Sequence, residues 1–225
     1  MNKKRGILLL LLLALITAIL AGCTKDFDAS GYTKAVLDVS YKNEIEDYIE
    51  LTKSSKEEAE TIFSKNMDAT MSDFEALNLS DELEKSYRTL FEDLAKNVKY
   101  SVGEAVKDED DNFTVKVSIE PITLFDDTYD EFQAKAQEYA ENMTNDVMNG
   151  KAMPSDEEMQ NEIYKIYYDI LRSSMDEGIQ YGEAQTVTVH VKQNENDVYG
   201  IPDEDIINMD DVMISQDVLS KGEDK

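Results

Sequence analysis

The sequence is poor in the residues that build metal centres, disulfides and nucleic-acid-binding surfaces. Its 225 residues include one cysteine, one histidine and no tryptophan, and 22 basic side chains stand against 49 acidic ones. A single cysteine forms neither an intramolecular disulfide nor a thiolate zinc site, and a single histidine excludes a multi-histidine metal centre. Because binding to phosphates requires a surface rich in Lys and Arg, the net charge of −27 argues against a nucleic-acid partner.

Residues 1–22 have the pattern of a bacterial signal peptide. Three basic residues, Lys3, Lys4 and Arg5, precede the apolar run Ile7–Leu20, which is 14 residues long. A membrane-spanning helix needs about 20 apolar residues, so this run is too short for a stable span. We therefore expect these residues to be removed from the mature protein.

The residues at the end of this segment resemble the bacterial lipobox. Leu20, Ala21, Gly22 and Cys23 match it at all four positions. The resemblance implies transfer of a diacylglyceryl group to the Cys23 sulfur and cleavage before Cys23. Two acyl chains make a durable anchor, whereas one binds reversibly. The alternatives are an ordinary secretory signal with an incidental cysteine, and a buried free cysteine.

The predicted mature chain is even more acidic than the whole sequence. Cleavage before Cys23 removes three positive charges and no negative ones, which leaves 203 residues with a net charge of −30. This acidity predicts either a surface for cations or basic ligands or simply solubility in a crowded envelope. Residues 23–31 are read as the lipidated Cys23 and a short tether, so the folded part should lie close to the bilayer.

The rest of the chain alternates between helical and strand periodicity. Residues 31–51 predict a helix or helix pair broken near Asn43, and capping patterns predict helices after Ser55, Ser80, Thr128 and Ser155. Alternating apolar residues predict a hairpin from Tyr100 to Ile119 around the polar residues 107–112. Further strands are predicted at Val187–Val191 and Val198–Ile201.

These elements predict an α+β fold in a single domain over residues 32–202. We expect N-terminal helices on a curved antiparallel sheet of about four strands, with a helical hairpin inserted at residues 128–179. Residues 203–225 form an acidic, partly flexible segment that docks a short helix and frays beyond Ser215. The order helix-helix-strand-strand occurs twice, which is compatible with a duplication, but one sheet fed by both halves is the favoured interpretation. The arrangement resembles the cystatin-like and nuclear-transport-factor-like cone folds.

No catalytic, cofactor-binding or metal-binding constellation is recognisable. His190 lies on the predicted wet face of a strand with no evident partner, so a solvent-facing or sheet-edge imidazole is expected. The run Asp108–Asn112 resembles a calcium loop only in its acidity, because Phe113 and Ile119 replace the glycine and the glutamate of an EF-hand. A hairpin turn is the favoured interpretation, and a weak cation site is the alternative.

Three tyrosines lie close together on one predicted helix. Tyr167 is expected in the core, with Tyr164 and Tyr168 four residues apart on one face. Packing in the core with hydroxyls at its rim is the favoured interpretation, and contact with a ligand or partner is the alternative.

Several segments together resemble small uncharacterised lipoproteins of Gram-positive, clostridia-type bacteria. The likeness rests on the lipobox, on Tyr48–Ala59, on the hairpin from Tyr100–Glu104 to Ile119–Pro121, and on Val198–Pro202. It implies localisation and fold, no activity, and no functional residue beyond lipid attachment at Cys23.

We therefore expect a non-enzymatic module, anchored by Cys23 at the outer face of the cytoplasmic membrane, that binds an envelope protein or a small ligand through the concave face of the sheet. The alternatives are a carboxylate-dependent hydrolase of cell-wall or glycan material, and an accessory subunit of a membrane transporter or sensor. A closed interior would favour a protein partner. An open pocket holding desolvated carboxylates would favour chemistry.

Overall fold

The computed structural model describes residues 27–75, 77–194 and 198–215. The signal peptide, Cys23 and the residues after Ser215 lie outside this range, so the predictions made for them stay predictions. Within it, seven α-helices and a four-stranded antiparallel sheet confirm the α+β class.

The N-terminal helix begins earlier than expected and is broken where the sequence predicts. Helix α1 (Ala29–Leu37) starts inside the predicted tether, because Asp28 caps it by accepting a hydrogen bond from the Gly31 N–H at 2.8 Å. It continues as a π-helical turn, Asp38–Lys42, and stops at Asn43, whose φ of 58° is left-handed. Helix α2 (Glu46–Thr52) follows.

The next two helices follow their predicted capping signals. Helix α3 (Lys56–Glu75) starts after a reciprocal pair, in which Glu58 accepts the Ser55 N–H at 3.0 Å and Ser55 accepts the Glu58 N–H at 3.2 Å. Helix α4 (Asp81–Lys96) is capped by Ser80 and buries one apolar face against the core. Leu90, Phe91 and Leu94 on that face are at most 2% exposed.

The sheet is a meander that takes strands from both halves of the chain. Its order is β1 (Lys99–Lys107), β2 (Phe113–Glu120), β3 (Gln185–Gln193) and β4 (Tyr199–Gly200), all antiparallel. This confirms the favoured interpretation of one shared sheet. The inward residues of β2, Val115, Val117 and Ile119, are 0% exposed, so the space between sheet and helices is filled by side chains.

The segment after β4 docks as expected. Helix α7 (Asp203–Met213) lies against β3 and buries Ile206, Met209 and Met213. Ile122, just after β2, pairs with Ile214 beyond the helix.

The inserted helices form a long hairpin whose first boundary was predicted wrongly. Helix α5 (Leu124–Met148) starts four residues before Thr128, and helix α6 (Asp156–Glu177) is capped by Ser155 and Glu158 as predicted. Thr128 is buried within α5, where its hydroxyl donates to the Leu124 carbonyl at 2.7 Å. The Thr128–Glu131 spacing is therefore coincidental. We call α5, α6 and the residues between them the arm.

Candidate functional site

The chain enters the fold at an aromatic cluster beside the β1–β2 turn. The Phe27 ring stacks on Tyr199 with centroids 4.0 Å apart and meets Phe113 at 5.8 Å. The Tyr199 hydroxyl in turn donates to the Asp111 carbonyl at 3.1 Å. Because Cys23 is only four residues before Phe27, a lipid on Cys23 would be tied to this end of the sheet.

The acidic run after β1 is a hairpin turn, as the favoured interpretation predicts. One Asp108 carboxylate oxygen accepts the N–H groups of Asp110 and Asn112, both at 2.9 Å, and Asp111 pairs with Lys107 at 2.5 Å. Asp111 takes a left-handed conformation with a φ of 63°. These side chains are thus engaged within the turn, and the part of the chain that the structure describes contains no cluster of three or more potential metal ligands.

His190 has a partner that the sequence did not reveal. An Asp205 oxygen on α7 accepts the His190 backbone N–H at 2.7 Å and lies 2.9 Å from the ring Nδ1. Asp205 thus supplies a hydrogen-bond acceptor for the β3 backbone at His190, and the same contact holds α7 against the strand. The imidazole lies at the sheet edge with 43% of its side chain exposed, as expected, but its partner was not evident from the sequence because α7 returns to the strand edge 15 residues later.

The three tyrosines of α6 are used in packing. Tyr164 and Tyr168 meet the Tyr87 ring of α4 edge-on, with centroids 6.3 and 5.6 Å away, and Tyr167 packs on Phe132 of α5 at 4.4 Å. The Tyr87 hydroxyl donates to the Tyr164 carbonyl at 2.7 Å. These contacts attach the arm to the core, in line with the packing interpretation.

A buried ionic cluster surrounds Asp38 in the π-helical turn. Asp38 is 2% exposed; it pairs with Lys34 and with Lys42, whose Nζ is 3.7 Å away, and it accepts the Tyr100 hydroxyl at 2.5 Å. A hydrogen bond to Asp38 raises the pKa of Lys34. Burial, and then the hydrogen bond of Tyr100 itself to Asp38, raises the pKa of Tyr100. Two lysines and a phenol thus engage this one buried carboxylate, which suits a structural role.

Two clefts open near the end of α4 and the start of β1. One, of about 440 Å³, is lined in part by Lys96, Arg172 and Tyr181, and the other, of about 290 Å³, in part by Lys42 and Tyr100. Lysine ammonium groups sit over aromatic rings here: Lys99 is 3.5 Å from the Tyr181 centroid and Lys42 is 4.3 Å from that of Tyr100. Both clefts are open to solvent and polar, unlike an enclosed small-molecule pocket.

The arm presents a long surface with little support from the core. Besides the ring contacts with Tyr87, three polar contacts join α6 to α4. The Asn161 side-chain oxygen accepts the Ser80 N–H at 2.8 Å, the Tyr164 carbonyl accepts from the Tyr87 hydroxyl, and Arg172 pairs with Asp93 at 2.9 Å. Helix α5 packs chiefly on α6. No side chain from 129 to 169 reaches burial, and the apolar seam between the helices is only half covered. The seam comprises Ala136, Tyr139, Met143, Val147, Met159, Ile163 and Ile166.

The tip and charge of the arm distinguish it from the core. Met148 and Met153, on either side of the turn between the helices, are 81% and 59% exposed. The residues 124–177 carry fourteen acidic and four basic side chains. All four basic groups already pair with carboxylates, Lys135 with Glu138, Lys151 with Asp146, Lys165 with Asp169, and Arg172 with Asp93 and Asp176. The electrostatic field around the arm is therefore negative and comes from the remaining carboxylates.

Comparisons with known proteins give one fold neighbour. The chain matches no protein-family model, and a search of curated proteins gives no match. Its fold is similar to the crystal structure of YcdA from Bacillus subtilis, described as a "putative lipoprotein", with a TM-score of 0.57 and 18% identity. The similarity covers 84% of this chain and 56% of the neighbour, so this chain spans little more than half of that protein. At this identity the likeness shows the fold alone. No helix among the described ranges is long and apolar enough to span a bilayer.

Proposed function

We propose that this protein is a lipoprotein anchored through Cys23 outside the cytoplasmic membrane, and that it binds another protein through the arm without catalysing a reaction. The anchor is supported by the lipobox at Leu20–Cys23 and by the description of its fold neighbour as a lipoprotein. The likeness to small clostridia-type lipoproteins agrees with both.

The exposed arm is the observation that carries the binding proposal. Helices of 25 and 22 residues are about 37 and 33 Å long, yet the stretch from 129 to 169 buries no side chain. An amphipathic pair of this length leaves part of its apolar seam in water, and a partner protein would cover it. Methionines such as Met148 and Met153 adapt their shape to a partner surface.

The charge of the arm supports a partner with a basic surface. With its basic groups already paired, the arm presents an excess of carboxylates such as Glu141 and Glu162, both exposed. We expect an envelope protein with a basic surface around an apolar patch, because complementary charges accelerate association and exclude like-charged partners. A neighbouring transporter or sensor is one form of such a partner.

The packed interior supports a protein partner over a small ligand. The inward side chains of β2 are fully buried, and the clefts near Lys96 and Lys42 are open and polar. The alternative of a hydrolase stays a prediction from carboxylate content. Asp38, the least exposed carboxylate among the described residues, is engaged by two lysines and a phenol.

Site-specific photocrosslinking in intact native cells tests the binding proposal. Benzoylphenylalanine would replace Met148 or Met153 in the full chain, with a matched control at Val106, an apolar residue of β1 that is 68% exposed. We expect one discrete protein adduct from the tip positions and none from Val106. The double variant Glu141→Lys/Glu162→Lys should abolish the adduct, whereas Glu109→Lys/Glu120→Lys, outside the arm, should leave it. Equal adducts from tip and control, or none from the tip, would refute binding through the arm.

A further inference from the structure

We propose that the turn end of the sheet faces the bilayer, and that the opposite end, where the arm begins, faces outward. The turn end comprises Phe27, the β1–β2 turn at 108–112 and Tyr199. The inference rests on the proposed anchor at Cys23 and adds an orientation to it.

The chain enters the fold at a fixed point. Phe27 is not a loose end: its ring stacks on Tyr199 and also contacts Tyr32 of α1, with centroids 5.6 Å apart. The next residue, Asp28, caps α1. A pull on the chain before Phe27 is therefore transmitted to the turn end.

The tether before Phe27 is shorter than the sheet. Four residue steps separate Cys23 from Phe27, and a fully extended chain covers about 14 Å in four steps. Strand β2 runs seven steps from Phe113, beside Phe27, to Glu120 at the opposite end, which is about 24 Å. If Glu120 and its register partner Lys99 faced the lipid, Phe27 would lie beyond the reach of the tether. The inverted orientation is therefore excluded by geometry.

Electrostatic repulsion between the turn and the bilayer cannot reverse this constraint. The turn carries four successive acidic residues, Asp108–Asp111, of which only Asp111 has a basic partner within the turn, at Lys107. Repulsion from an anionic leaflet acts close to the surface and decays within a Debye length of about 8 to 10 Å. It lifts the turn to the limit of the tether, but a covalent lipid holds Phe27 within that limit.

This orientation places the features of the opposite end where a partner can approach. Lys99 is the register partner of Glu120, and α5 begins four residues after Glu120. Both therefore lie at the end of the sheet opposite Phe113 and Phe27. The base of the arm is then held away from the bilayer by about the length of the sheet.

Energy transfer from single tryptophans to the membrane tests the orientation. The chain has no tryptophan, so Glu109→Trp in the turn and Glu120→Trp at the opposite end, both at exposed positions, each supply a unique donor. The mature chain from Cys23 would be coupled through its only cysteine to a maleimide phospholipid in vesicles with dansyl-labelled headgroups. We expect several-fold stronger transfer from position 109 than from position 120. Insertion of a long Gly-Ser linker before Phe27 should abolish most of the difference.

Equal transfer from the two positions, stronger transfer from position 120, or a difference that the linker leaves unchanged would overturn the proposed orientation. Chemical coupling makes this result independent of natural acylation. The native state of Cys23 is measured separately by mass spectrometry, so failure of the anchor and failure of the orientation are distinguishable.

Discussion

Tyr100 on β1 donates its hydroxyl proton to Asp38, 62 residues earlier in the chain, with the two oxygens 2.5 Å apart. The bond joins the π-helical turn after α1 to the first strand of the sheet. Lys42 also contacts this tyrosine, because its Nζ lies over the Tyr100 ring, 4.3 Å from the centroid.

Removal of this hydroxyl should destabilise the fold. A hydrogen bond to a charged group contributes about 1.5–3 kcal/mol, and Asp38 is almost fully buried, so Tyr100→Phe should lower the free energy of unfolding by about 2 kcal/mol. Urea denaturation measures the change. Tyr139→Phe, on the half-covered seam of the arm, is the control and should change stability by less than about 0.5 kcal/mol. Equal effects of the two substitutions would contradict a specific role for the Asp38 bond.

Stability should fall in alkaline solution. Burial is the main cause that raises the pKa values of Tyr32, Tyr87 and Tyr167 above their usual 10.0. The folded state then holds these protons more tightly than the unfolded state, so the contribution is complete below about pH 10 and is lost as the pH rises above it. Urea denaturation at a series of pH values, with phenolate absorbance recorded in parallel, checks this. Ionisation of these phenols at about pH 10 without any loss of stability would count against it.

The contact between Asp205 and His190 should hold α7 on the sheet. Asp205→Ala removes the acceptor for the His190 N–H, and we expect a loss of about 2 kcal/mol with faster hydrogen exchange of that amide. Asp205→Asn retains an acceptor oxygen and should recover part of the loss. Asp203→Ala, at an exposed position of the same helix, is the matched control. Unchanged protection of the His190 amide in Asp205→Ala would show that the contact does not fix the helix.

The arm should open without unfolding the rest of the protein. Its outer half buries no side chain, so amides in the stretches 136–148 and 156–160 should exchange faster than those of α4. Ser155→Ala removes the cap of α6 and should lower the local stability of the arm by about 1 kcal/mol. Ser80→Ala, the matched control, removes the cap of α4, which packs against the core, and should leave exchange in the arm unchanged. Hydrogen exchange followed by mass spectrometry separates the two. Exchange in the arm that is as slow as in α4 would argue against a marginally stable hairpin.

Local patterns in the sequence predicted most of the elements. Alternation around Val115 and Val117 identified β2, and Ser55, Ser80 and Ser155 marked three helix starts, because caps and periodicity depend on residues within one turn or strand. The prediction of a helix start at Thr128 was wrong because it, too, relied on a local pattern alone. Its spacing to Glu131 matches a cap, but Asp126 and Asp127 precede it inside a helix that has already begun.

Contacts between distant residues were not predictable from one sequence. Asp38 and Tyr100, like His190 and Asp205, are brought together by tertiary packing, and neither pair has a local signature. The length of the helices did indicate the arm, but its exposure did not follow from sequence, since half-apolar faces on α5 and α6 are equally compatible with burial against the core. The likeness to cystatin-like and nuclear-transport-factor-like folds stays a prediction.

Mass spectrometry of the N-terminal peptide from protein isolated from native membranes tests the central claim most directly. The account predicts a mature chain that begins at Cys23, carries a diacylglyceryl thioether on its sulfur, and is released from the membrane fraction by Cys23→Ser. An intact N-terminus at Met1 with an unmodified Cys23 thiol, or recovery of the protein from the cytosol, would contradict it.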